Sequence, residues 1–249
     1  MIRHTLLPLL TSLVLGSAAV AQKPVQWELL ADVSKVAPGE TFRLAARGQL
    51  QPDWHLYWTN PGESGLPTTI EWDLPEGFSA GETQYPVPHR YTQKFSEDFS
   101  MVTHTIDGDA FFIAEVTAPD DLAPGQSLQI GASVSWQACK ELCTDGTTPL
   151  QLTLASAEQV APSADVPAIG AAWDAGQAGI EVANAVVSLE EGQLALVAKL
   201  PEGAEDQYNG DFYFLPTDPE MVAAGNDQIA AREGDQLSIF ADLFEGREE

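Results

Sequence analysis

Leu128-Gln129-Ile130-Gly131-Ala132-Ser133-Val134-Ser135-Trp136-Gln137-Ala138-Cys139 is the stretch that decides the fold. Leu128, Ile130, Ala132, Val134 and Trp136 fall on one face of an extended chain, and Gln129, Gly131, Ser133, Ser135 and Gln137 on the other. A period of two with one apolar set predicts a strand whose inner face lies in a core. The alternation stops at Ala138, so Cys139 sits where the strand gives way to a turn. Lys140-Glu141-Leu142 then leads to Cys143, and a second strand, Leu150–Leu154, leaves after Thr148-Pro149. The pattern therefore places both cysteines at the rim of a β-structure, open to solvent and to another protein.

These are the chain's only cysteines. Fully extended, four residue steps separate two Cα atoms by roughly 13–14 Å, whereas a disulfide requires about 4.4–6.8 Å. The intervening residues must fold back tightly. A ring this small removes little entropy from the unfolded chain, so the bond is a weak staple. An exposed bond at a turn exchanges readily with thiolates, and exchange chemistry is favoured over a static structural disulfide. Lys140 is the one cation nearby and is opposed by Glu141 and Asp145, so the sequence does not imply a strongly activated thiolate. One rival reading is copper: thiolate and thioether ligands select Cu(I), and Cys139, Cys143, Met101 and His104 supply such donors. Another is a non-catalytic adaptor that holds a partner at a sheet edge. Otherwise no metal or cofactor is expected. Gly-x-Ser-x-Gly, His-Glu-x-x-His and phosphate-loop motifs do not occur.

Outward from this stretch, residues 26–155 continue as short alternating segments between Pro/Gly turns, the pattern of an all-β, immunoglobulin-like sandwich. The turn-to-strand run Ala37-Pro38-Gly39-Glu40-Thr41-Phe42-Arg43-Leu44 recurs at Ala123-Pro124-Gly125-Gln126-Ser127-Leu128-Gln129-Ile130. Between them, Trp54 to Pro67 looks irregular. Tyr85–Tyr91 and Lys94–Phe99 read as a long mobile loop with an aromatic tip, a lid candidate, ahead of a strand at Ala110–Val116. Ala, Ser and Pro at 155–166 mark a linker, and Val166–Gly176 reads as a short helix around Trp173. A smaller β-rich module follows, with strands at Ile180–Leu189, Leu194–Leu200, Phe212–Leu215 and Leu237–Phe240. The division is 1–21, 22–155, 156–179 and 180–249.

The first 21 residues combine Arg3, an interrupted apolar run and Ala19-Val20-Ala21, the signature of a cleaved secretory signal. Export places the cysteines in an oxidising compartment, and no later segment is long enough to span a membrane. Thirty-seven Asp and Glu against 11 Lys and Arg, a formal net charge of −26, disfavour nucleic acid and anionic lipid.

Trp54-His55-Leu56-Tyr57-Trp58-Thr59-Asn60-Pro61-Gly62-Glu63-Ser64-Gly65-Leu66-Pro67-Thr68-Thr69, joined to Trp136-x-x-Cys139-x-x-x-Cys143, resembles the periplasmic N-terminal domain of the thiol:disulfide interchange reductase DsbD, in the branch of the copper-sensitivity suppressor ScsB. The resemblance covers roughly Trp27 to Leu154. It implies an immunoglobulin-like periplasmic domain whose cysteines relay electrons to thioredoxin-like partners, such as disulfide isomerases or the thioredoxins of cytochrome c maturation. It assigns the mixed disulfide to Cys143 and its resolution to Cys139. Shielding falls to His55 and Tyr57, with the lid mapping onto Phe95–Met101 and so including Phe95 and Phe99; Trp136 also restricts access. Because the sequence ends at Glu249 without the membrane and thioredoxin-like domains of the full reductase, its electron donor is expected on a separate membrane polypeptide.

Overall fold

A computed structural model describes residues 23–176, 183–190, 192–201 and 212–244; the segment read as a signal lies outside them. In chain order the strands are β1 (Val25–Ala31), β2 (Val33–Val36), β3 (Thr41–Leu50), β4 (His55–Gly62), β5 (Thr69–Asp73), β6 (Ser79–Ala80), β7 (His89–Lys94), β8 (Ser100–Asp107), β9 (Asp109–Thr117), β10 (Ser127–Cys139), β11 (Cys143–Ser156) and β12 (Ala161–Pro162). Helix α1 (Val166–Gly176) follows, then β13 (Ala183–Glu190), β14 (Gln193–Lys199), β15 (Ile229–Glu233) and β16 (Gln236–Asp242).

The fold is an all-β, immunoglobulin-like sandwich followed by a smaller sheet. One layer runs β1-β3-β9-β6; the other runs β12-β2-β11-β10-β4-β8-β7, with β5 also paired to β10. Alternation along β10 does what its sequence predicts: Leu128, Ile130, Ala132 and Val134 are buried, and Trp136 packs on the same core. Opposite them stand Leu44, Phe112 and Val116, while Leu56, Ile106 and Ala138 extend that core toward the cysteine end. Each such fully buried aliphatic or aromatic side chain contributes about 1.5–3 kcal/mol of transfer free energy.

Within the sandwich, three segments depart from the sequence reading. The region at Trp54 to Pro67 contains a strand after all, although an irregular one. Tyr57 pairs with Thr105 and Gly62 with Thr103, so five steps on β4 span two on β8 and Trp58 to Pro61 bulge out. The expected mobile loop is a hairpin: β7 pairs with β8 from His89↔Thr105 to Lys94↔Ser100. Every residue of β7 is exposed, so no apolar alternation announces it. Strand β11 begins at Cys143 and runs through Pro149; among the described residues its outer edge is unpaired until β2 meets Ala155, and proline is tolerated on such an edge.

Beyond the sandwich, α1 matches its predicted bounds and buries Ile169 against Ala45 and Ile113. Ala161 and Pro162 pair with β2, so the stretch read as a linker is fastened to the sandwich. The last sheet runs β13-β14-β16-β15. Phe212–Leu215 is not a strand: Phe212 and Phe214 fill core positions, and the Gln228 side chain satisfies the Phe214 backbone as both acceptor and donor, each at 2.8 Å. Strand β15 takes the place expected for it. The small sheet meets the β4 bulge where Asn60 Nδ2 donates to the Pro216 carbonyl at 2.8 Å, and Arg90 stacks 5.0 Å from the Tyr213 ring.

Candidate functional site

The β10–β11 hairpin carries 13 consecutive pairs, from Ser127↔Ala155 to Cys139↔Cys143. The cysteines thus face each other at its closed end, with Cα atoms 4.1 Å apart and a disulfide formed. The Lys140 N–H donates to the Leu142 carbonyl at 3.3 Å, closing the turn. The two ends of the bond differ in environment. Cys139 is 4% exposed, held between β11 and β4, while Cys143 is exposed and Leu142 beside it is 80% exposed. Of the two cysteines, Cys143 is thus the one presented at the surface.

Register extends the site across the sheet. Cys139 stands opposite His55 on β4, and His55 opposite Asp107 on β8. Directly opposed residues project to the same face, so Cys143, Cys139, His55 and Asp107 form one row over four strands. The next row toward the middle of the sheet includes Tyr57, opposite Thr105. The His55 ring lies 5.4 Å from the Tyr57 ring, edge-on, and 5.6 Å from the ring of Tyr91. Tyr57 is buried. Gly65 makes that possible: at φ +101° it passes over Tyr57 so closely that a Cβ would enter the ring, and only glycine adopts this backbone without penalty.

Burial sets the electrostatics of this row. It holds His55 below the usual imidazole range, with the Asp107 carboxylate pulling the other way. It also pushes the Tyr57 phenol up, with Tyr91 adding to the effect. Lys140 Nζ donates to Asp53 Oδ2 at 2.8 Å, so the lysine next to Cys139 is already paired with a carboxylate. A cleft of about 700 Å³ opens on this side, lined among others by Asp53, His55, Tyr91, Asp107 and Lys140.

Of the side chains singled out in the sequence, the structure groups Cys139, Cys143, His55 and Tyr57. Trp136 lies on the core-facing side of β10, its ring across Gly146 and its Nε1 donating to Thr148 Oγ1 at 2.9 Å. Phe95 and Phe99 stack on each other, 5.3 Å between rings, at the turn of the β7–β8 hairpin. That turn follows Lys94↔Ser100, seven residues down β8 from Asp107, or roughly 23 Å along a strand. The four donors weighed for copper are not brought together. His104 is buried on the core-facing side of β8, Nδ1 donating to the Asn60 carbonyl at 2.9 Å, and Met101 lies on the other face. Among the described residues no group of three His, Cys, Asp or Glu could hold a metal ion. Asp107 is an addition that the sequence did not signal, and Tyr91, read there only within the aromatic loop weighed as a lid, stands beside His55; both reach the site through strand pairing between distant segments.

The family described as thiol:disulfide interchange protein DsbD, N-terminal, matches residues 24–155. Among solved structures, the N-terminal periplasmic domain of ScsB from Proteus mirabilis is similar at 18% identity, covering 91% of this chain and 83% of that one with a TM-score of 0.57. AvmM, which catalyses macrocyclization in alchivemycin A biosynthesis, aligns at 10% identity over 57% of this chain and 93% of that one, with a TM-score of 0.33. No curated protein matches the chain. No helix among the described residues is long and apolar enough to cross a membrane.

Proposed function

The chain belongs to the DsbD N-terminal family, a family of thiol-disulfide exchange, and from that premise we propose that it is a periplasmic relay passing two electrons between a donor and oxidised thioredoxin-like or disulfide isomerase partners through Cys139 and Cys143. The observation that carries this reading is the asymmetry of the pair: Cys139 is buried while Cys143 is exposed at the end of a hairpin. In the reduced protein the Cys143 thiolate attacks a partner disulfide; the partner's far sulfur leaves with the electron pair, and Cys143 is joined to the near one. The Cys139 thiolate then attacks Cys143 Sγ, the bond to the partner breaks, and the partner departs as a dithiol once protonated. Two electrons have moved to the partner and the Cys139–Cys143 bond is restored. A donor dithiol attacking Cys143 runs the same steps backwards.

His55 and Tyr57 confine access to the buried sulfur, and Tyr91 adds a third ring to that shield. Phe95 and Phe99 act on access through the hairpin they close, and Trp136 holds the hairpin of the cysteines from its other face.

The test uses Cys139→Ala. Mixed with an oxidised disulfide isomerase of thioredoxin fold, this variant should accumulate a covalent adduct on non-reducing gels that dithiothreitol releases, and Cys143→Ala should form none. No adduct with Cys139→Ala, or equal adducts with both, would contradict the proposal.

A further inference from the structure

In each direction of this exchange Cys139 must gain or lose a proton while 4% exposed. A lone thiolate is costly in such surroundings, so the burial that protects this sulfur also calls for a proton partner beside it. The register supplies one. His55 stands directly opposite Cys139 on the same face, and opposed Cβ atoms lie about 4.5–5.5 Å apart, a span an imidazole can bridge to a sulfur. Beyond it in the same row stands Asp107, which is 3.7 Å from His89 Nε2 on the next strand. Among the described residues, the other charged and titratable groups around His55 are Tyr57 on its own strand, Tyr91 on β7, and the Asp53–Lys140 pair, whose members face each other at 2.8 Å.

We propose that His55, supported by Asp107, carries the proton of Cys139 during thiol-disulfide exchange. The inference rests on the relay reading above. In the mixed disulfide, neutral His55 accepts the Cys139 proton and the resulting thiolate attacks Cys143 Sγ. The Cys139–Cys143 bond forms, the Cys143–partner bond breaks, and the partner leaves as a thiolate with the electron pair. The imidazolium faces the Asp107 carboxylate until its proton passes to solvent. In reverse, a donor thiolate attacks Cys143 and the imidazolium protonates Cys139 as it is expelled. Burial keeps His55 neutral near neutral pH, as a base must be, while Asp107 opposes that shift and steadies the charged form.

The experiment separates the steps in the reduced, full-length protein with a chromogenic aromatic disulfide that releases nitrothiobenzoate. Attack by Cys143 releases a first equivalent and resolution by Cys139 a second, read by stopped flow across pH 5 to 9. In the wild type the second phase should fall off as His55 becomes protonated. His55→Phe, which keeps a ring, and His55→Gln should slow the second phase about tenfold or more and remove that inflection, with the first phase little changed. Asp107→Asn should move the inflection to lower pH. A second phase of unchanged rate and pH profile in both His55 variants overturns the inference, as does equal acceleration of both phases, which marks a shield alone. If the wild type gives no first phase, the relay reading itself has failed and the inference with it; a normal first phase with an unaffected second removes only the inference.

Discussion

Reducing the Cys139–Cys143 bond should leave the sandwich folded, and the cost can be worked from the hairpin. The bond closes a ring with three residues between its cysteines. For a ring of that size the chain-entropy relation gives about 2 kcal/mol, against about 3 for fifteen residues. The 13 backbone pairs between β10 and β11 remain, and a reduced Cys139 stays in place as a small apolar side chain. A loss of about 2 kcal/mol corresponds to a fall in Tm of about 4–8 °C for a chain of this size. Urea and thermal unfolding of oxidised, dithiothreitol-reduced and Cys139→Ser/Cys143→Ser protein, followed by tryptophan fluorescence, would measure it. Each form should unfold in one cooperative transition of nearly equal steepness. A loss above about 4 kcal/mol, or a reduced protein without a cooperative transition, would mean the bond is a structural tie, and the reasoning from ring size would be refuted.

Tyr57→Ala should destabilise the protein by about 3–5 kcal/mol, as for other large buried aromatics, and should speed modification of the reduced cysteines by a thiol reagent; unchanged reactivity would remove Tyr57 from the shield. His104 is held by burial below its unfolded value of about 6.5, so the unfolded chain binds more protons between those values. Its share of stability is intact above pH about 6.5 and is lost as pH falls through the folded value; His104→Gln should show a shallower decline in urea midpoint over that window. Asn60→Ala removes the donor to the buried Pro216 carbonyl, should cost about 1–3 kcal/mol, and should increase proteolytic cleavage between the sandwich and the last sheet.

Which parts could be read in the sequence follows from where the constraints lie. The β10 strand was legible because its inner residues meet one continuous core and its outer ones do not, and α1 because Ile169 and Trp173 share a face. The same logic fails where local pattern and tertiary pairing part company. The bulge at Trp58 to Pro61 breaks period two within β4, and β7 carries no apolar stripe because neither of its faces is buried. At Phe212–Leu215 an apolar run imitates a strand, but Gln228 takes the place of a neighbouring backbone. The cysteines announced themselves by type and spacing. Asp107 did not, and Tyr91 showed only as one aromatic of a loop, since each reaches His55 from a distant segment through strand pairing.

The reduction potential of the Cys139–Cys143 couple, set by equilibration against glutathione or thioredoxin redox buffers and read by mass after alkylation, tests the central claim most directly. A reversible two-electron store predicts a potential above about −300 mV, with full recovery of the bond on reoxidation. A potential well below about −300 mV, where structural disulfides resist reduction, would contradict it.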